Sequence, residues 1–255
     1  AGQTYDVPVY APVDSKFTGV TYYLQPMLNE NDQWVDVPQY DLRFQVSCEV
    51  SYGFDHLWSL AGDIAAVAPA EPATSTRDAQ VKVDVAVQAG DLIGYTTGTI
   101  LAHTWDFILN NSTVQNRFAN QERYENTGDL QSLLTGDCPY DYFNDAMSAE
   151  YYALLGGFGG RAEDGACDMS PDVPGTLAGG WFLEPFSPEA SSGPGAGWAL
   201  TVITGADGYI AVNGEQTRVI VSPEHPTYAD PKAVTTEHCY EHNSHPVRFV
   251  YLKLL

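Results

Sequence analysis

Between Val81 and Leu109 the chain reads strand, turn, strand, turn, strand. VKVDVAV alternates apolar and polar residues as a half-buried strand does. Ala89-Gly90-Asp91 is a turn whose glycine suits a positive φ. Leu92-Ile93 opens a second strand that Gly94 interrupts, and Thr97-Gly98-Thr99 turns the chain into an apolar run from Ile100 to Leu109. That run carries His103, Trp105 and Asp106, polar insertions that packing does not require. Upstream, Gly19 to Leu24 is strongly β-prone and Asn29 to Asp32 is a polar turn. Tyr40 to Ser51, YDLRFQVSCEVS, alternates for its full length and predicts one long strand. Ala61 to Gln80, rich in Ala and Pro, predicts an extended surface connector.

After Asn116 the pattern changes. Asn120 to Leu134 and Asn144 to Leu155 predict helices; Asn144 is a good N-cap, Met147, Tyr151, Leu154 and Leu155 share a face, and Gly156-Gly157 stops the second helix. From Arg161 turns return. Gly179 to Leu183, Trp198 to Thr204, Tyr209 to Asn213, Thr217 to Ser222 and Val247 to Leu254 predict short strands, with Ala206-Asp207-Gly208 and Asn213-Gly214 as hairpin signals. The predicted fold is mainly β: a β-sheet or barrel domain over 1–118, a helical connector over 119–160 and a small antiparallel β domain over 161–255.

Composition narrows the function. A net charge of −22 with only 11 Lys and Arg excludes nucleic acid, whose phosphates need a basic surface. No apolar run is long enough to span a bilayer as a helix. Cys48, Cys138, Cys167 and Cys239 form no C-x-x-C pair, and an even count in a Tyr- and Gly-rich chain predicts two disulfides in an exported protein, its leader removed before Ala1. Of the three pairings, Cys138–Cys167 joins two turn-rich segments and leaves Cys48–Cys239. Asn110-Asn111-Ser112-Thr113 holds two overlapping glycosylation sequons. His238, Cys239, His242 and His245 suggest zinc, but Asn243, Ser244 and Pro246 make the segment a turn and Cys239 is assigned to a disulfide, so no metal is expected there.

V-x-A-G-D-x-I-G followed by a glycine turn and H-x-x-x-F resembles the second half of the lysostaphin-type zinc metallopeptidases. Val9-Tyr10-Ala11-Pro12-Val13-Asp14 is similar to that family's first strand, and Tyr52-Gly53-Phe54-Asp55-His56-Leu57 to its Y-x-H-L strand, so the resemblance covers about residues 5 to 115. It implies a barrel-like β fold for this part of the chain. The family's zinc ligands are a His and an Asp upstream of the first strand and the second His of H-x-H. Here no histidine precedes His56, and the H-x-H position reads His103-Thr104-Trp105. The resemblance therefore implies a degenerate centre that keeps His56 and His103, counterparts of the histidines flanking the metal-bound water, and lacks the ligands.

Three functions follow as expectations. The first is a secreted or cell-surface, non-catalytic protein that uses the degenerate fold to bind a glycan, peptidoglycan or protein, with Trp58, Trp105 and Asp106 as binding residues and no cofactor. The second is a metal-independent enzyme, such as a polysaccharide lyase, in which His56 and His103 divide the base and acid roles; the basic residue within the Val81 to Leu109 stretch for a substrate carboxylate is Lys82. The third is self-assembly through strand edges. An active zinc endopeptidase would need its ligands upstream of this chain.

Overall fold

The computed structural model describes residues 6–31, 33–74, 80–100, 103–154, 167, 172–182, 200–205, 208–214 and 217–254. The protein is mainly β, in several antiparallel sheets with few helices and no closed barrel among the described residues. It divides into two compact units, Ala1–Thr113 and Val114–Leu255.

The first unit holds β1 (Val7–Tyr10), β2 (Ser15–Leu28), β3 (Trp34–Gln45), β4 (Val50–Leu57), β5 (Ser59–Leu60), the short helix α1 (Gly62–Val67), β6 (Val81–Val87), β7 (Leu92–Thr96) and β8 (Asp106–Asn111). Five strands form a sheet in the order β6-β2-β3-β4-β8, and three form another in the order β1-β7-β5. Phe17, Val20, Leu42, Phe44, Tyr52, Phe54, Leu57 and Ile93 make the core, each at most 3% exposed. The alternation of YDLRFQ explains one wall of it: Leu42 and Phe44 point inward, which turns Asp41 and Arg43 to the opposite face of β3.

Four local expectations change. YDLRFQVSCEVS is two strands, because Ser47 Oγ accepts from the backbone N–H groups of Glu49 and Val50 and closes a hairpin turn within the alternating run. β7 passes through Gly94 without a break, since Gly94 pairs with both Val9 and Leu60. The strand expected from Ile100 begins at Asp106. The Ala61 to Gln80 connector contains α1, and Ala73 exchanges backbone hydrogen bonds with the Tyr22–Leu24 stretch of β2. The turn at Asn29 forms as read, with Asn29 Oδ1 accepting from Asn31 and Gln33.

The second unit starts with α2 (Gln121–Asn126) and α3 (Gly128–Gln131), which break the helix expected over 120–134 at Thr127, and α4 (Asp145–Leu154). Asn144 caps α4 by accepting from Met147, yet this helix buries no residue. β9 (Gly179–Trp181), β10 (Leu200–Thr204), β11 (Ile210–Gly214) and β12 (Thr217–Val221) form a sheet in the order β12-β11-β10-β9; β13 (Glu237–His242) and β14 (His245–Lys253) form a hairpin. Leu177, Val202, Ile210, Val212, Val219, Val221 and Tyr240 are its core. Leu155, Gly156-Gly157, Leu183, Trp198 and Ala206-Asp207 lie outside the described residues. The His238 to His242 segment is a strand, so its histidines do not stand on a helical face; His238 Nε2 instead meets the Thr227 carbonyl at 2.7 Å.

Cys138 and Cys167 are bonded, with Cα atoms 5.9 Å apart. The second expected bridge does not form: Cys48 lies exposed in the β3–β4 turn of one unit, Cys239 lies on β13 of the other, and both carry free thiols. Each cysteine belongs to a hairpin that its own unit completes, so neither fold depends on the bridge.

Candidate functional site

The site is built on the polar face of the five-stranded sheet, opposite the core. Register places Tyr23 against Gln39, Thr21 against Asp41, and Gly19 against Arg43 across the β2–β3 ladder. On the other side of β3 the ladder slips. Tyr40 pairs with Leu57 and Leu42 with Phe54, so Asp41 alone faces the two residues Asp55 and His56. This β-bulge re-aims the end of β4. Beyond it, Asp106 of β8 pairs with Asp55.

His56 and His103 are the two described non-glycine residues with positive φ, at 67° and 52°. Such backbone conformations are held by surrounding contacts and cluster at functional sites. The contacts at His56 are explicit. Its amide donates to Asp55 Oδ1 at 2.7 Å, and its carbonyl accepts from Thr96 Oγ1 at 2.7 Å. The ring Nδ1 lies 2.6 Å from Gln39 Oε1, and Gln39 is 2% exposed. Gln39 Nε2 faces Met27 Sδ at 3.9 Å, which fixes the amide with its oxygen toward the imidazole. In this orientation Nδ1 is the ring atom placed to donate to Gln39. Nε2 is left facing Asp106 Oδ2 at 3.7 Å.

Tyr23 OH donates to Asp55 Oδ1 at 2.7 Å, and burial together with that carboxylate raises the phenol above its ordinary range. Asp41 accepts from Arg43 at 2.7 Å through Oδ2, while its Oδ1 is buried with no hydrogen-bond partner. Burial pushes the Asp41 carboxyl up to about 6; Arg43 opposes the shift and Asp55 adds to it. The protonated form is thus favoured in the fold, and its contribution to stability is complete below the ordinary value of 3.8 and lost as pH rises through about 6. In denaturation, Asp41→Asn is expected to remove a stability loss on the order of 2 kcal/mol between those pH values. Parallel pH curves for the two proteins would contradict this.

Arg43 lies between two glycines in register, Gly19 on β2 and Gly53 on β4. A side chain at Gly53 would bring its Cβ within 2.9 Å of the Arg43 guanidinium, so the glycine lets the guanidinium lie against the sheet. Arg43 lines a cleft of about 330 Å³ together with Thr18, Gln45, Ser51, Gln80 and Asn110 and the two aromatic residues Phe44 and Tyr52.

With the geometry in view, the chain matches no known protein family, no curated protein and no solved structure. Function has to be read from the residues themselves.

Of the residues read from sequence, the structure brings His56 and Asp106 together. His103 is exposed on the turn after Gly98, its amide bonded to Thr99, and no described hydrogen bond or ion pair joins its ring to His56. Trp58 is 49% exposed between β4 and β5. Trp105 packs on the core, its ring 5.3 Å from Phe54. An indole committed to packing thus stands two residues after His103, where the resemblance would call for a metal ligand.

Sequence reasoning missed Tyr23, Gln39, Asp41, Arg43 and Asp55. Register puts Arg43 on the strand beside that of His56, bonded to Asp41, whereas Lys82 pairs opposite Gly19 on β6. The signal was present: in YDLRFQ the polar residues Asp41, Arg43 and Gln45 share one face.

Proposed function

We propose that the chain is part of a secreted or cell-surface protein and that its first unit is a non-catalytic binding module, taking a cell-wall glycan or peptide on the polar face beside Arg43. The observation that carries this reading is the division of labour on the β4–β8 pair: Trp105 is committed to the core where a hydrolytic metal ligand would be needed, while the opposite face keeps a polar cleft. Neutral hydrogen-bonding side chains around a single guanidinium suit a hydroxyl- and amide-rich ligand. The Cys138–Cys167 disulfide accords with an oxidising compartment.

Calorimetric titration of the full chain with soluble peptidoglycan fragments is expected to show saturable binding that Arg43→Ala weakens about tenfold, the scale of one charge-assisted contact. Absence of binding at millimolar ligand, or binding indifferent to Arg43, would reject the module. A second reading, metal-independent acid–base catalysis, is favoured by one observation: His56 offers an oriented Nε2 with Arg43 on the adjacent strand. It requires turnover of a uronate-containing polysaccharide that His56→Asn abolishes; bound but unchanged polysaccharide decides for the binding module.

A further inference from the structure

We propose that Asp55, His56 and Asp106 form a binding site for a first-row divalent metal ion, distinct from the donor set of the peptidases the sequence resembles. Each of the three offers one donor atom, and these atoms lie within 4.8 Å of one another. Donors on a common ion about 2.1 Å from each span at most about 4.2 Å, so closure needs only a small rotation, which the 56% exposed Asp106 side chain can make.

Three features go beyond proximity. The first is the direction of the ring. Nδ1 faces the oxygen of buried Gln39, so Nε2 is the ring atom directed at the Asp106 carboxylate, and their 3.7 Å separation is too long for a direct hydrogen bond and leaves room for both to meet a common ion. The second is the outer layer. A metal-bound histidine typically donates its other ring N–H to a fixed acceptor, and a metal-bound carboxylate accepts from a neighbour. Buried Gln39 supplies the first contact and Tyr23 OH the second. The third is charge. The carboxylates of Asp55 and Asp106 stand opposite each other across the β4–β8 ladder, and the one described cation of β3, Arg43, is bonded to Asp41 instead. An added positive charge relieves this surplus.

One imidazole with two carboxylates matches Zn²⁺ or Mn²⁺ better than Ca²⁺, which favours all-oxygen sites. The positive φ of His56 gains a purpose, since it turns the ring from the strand into the carboxylates.

The test is calorimetric titration of the chelator-treated full chain with Zn²⁺ alone and Mn²⁺ alone. The expected result is one equivalent bound by the wild type, with affinity reduced about tenfold or more in Asp106→Asn and in His56→Asn, the latter chosen because asparagine tolerates positive φ. Tyr23→Phe, which removes the hydroxyl that donates to Asp55 at 2.7 Å and also contacts Gln25, Gln39 and the His56 ring, should weaken binding roughly tenfold with the stoichiometry unchanged. Circular dichroism checks that each variant is folded, and the exposed Asp106 makes its variant the safest. A Cys48→Ser, Cys239→Ser double variant must retain the ion, because free thiols also take zinc. No saturable binding of either ion at millimolar concentration, binding unchanged in Asp106→Asn, or binding lost in the cysteine variant would each overturn the site. None of these outcomes depends on whether a glycan or peptide binds beside Arg43.

Discussion

Phe44→Ala is expected to lower the stability of the first unit by about 4 kcal/mol, which is roughly 20 °C in melting temperature for a domain of this size. Phe44 is 1% exposed and sits at the centre of an aromatic cluster: 5.1 Å from Phe17, stacked at 4.7 Å on Tyr52, and edge-on to Phe54 at 6.0 Å. Removing the ring forfeits its burial and leaves a cavity between three rigid aromatics that cannot collapse into it. Native domains hold only about 5–15 kcal/mol in total, so a large share of the margin disappears. Urea denaturation gives the magnitude, and hydrogen exchange read by mass spectrometry places it. Faster exchange should appear in β2, β3 and β4. A loss below about 1 kcal/mol would mean that these rings do not form one packed core.

The second large effect lies in the second unit. Replacing both Cys138 and Cys167 by serine opens a loop closed across a sequence separation of 29, for which chain entropy gives about 3–4 kcal/mol. The local structure makes the dependence sharper. Helix α4 lies inside this loop and buries no residue; it is held by the stack of Tyr151 on Tyr140 at 5.2 Å and the bond from Tyr152 to Asp141. A ten-residue helix has little stability of its own in water. The serine variant should therefore lose helical ellipticity at temperatures where the β signal persists. Coincident loss of both signals at the wild-type temperature would show that the bridge contributes nothing to holding the helix.

Much of the strand pattern could be read directly. VKVDVAV is β6 without a residue of error, and Gly90 takes the positive φ expected of its turn, at 87°. The errors have a common origin, in that periodicity does not register a change of direction. The hairpin at Ser47 continues the alternation of β3 into β4, so two strands looked like one. Glu237 to His242 alternates as a strand, but its Asn-Ser-Pro neighbour drew the whole segment into a turn. The site was half visible. Asp106 stands out because it interrupts an apolar run, and His56 through the family resemblance, whereas Asp41 and Arg43 fall within the regular alternation of YDLRFQ and carry no mark of their own. Only register shows that this face is where the cluster forms. Tyr23 and Gln39 gave no signal, since each occurs commonly in strands and acquires a role only through its partner.

The bulge that gathers the cluster also makes it separable. Two residues of β4 stand opposite one of β3, so the centre is an addition to the ladder and not one of its rungs. Losing a single codon between Phe54 and Leu57 would let the hairpin close in regular register, with Leu42, Phe44, Phe54 and Leu57 still turned inward. A lineage carrying this scaffold can therefore discard the cluster, or regain it, by a one-residue indel, while the architecture passes on unchanged.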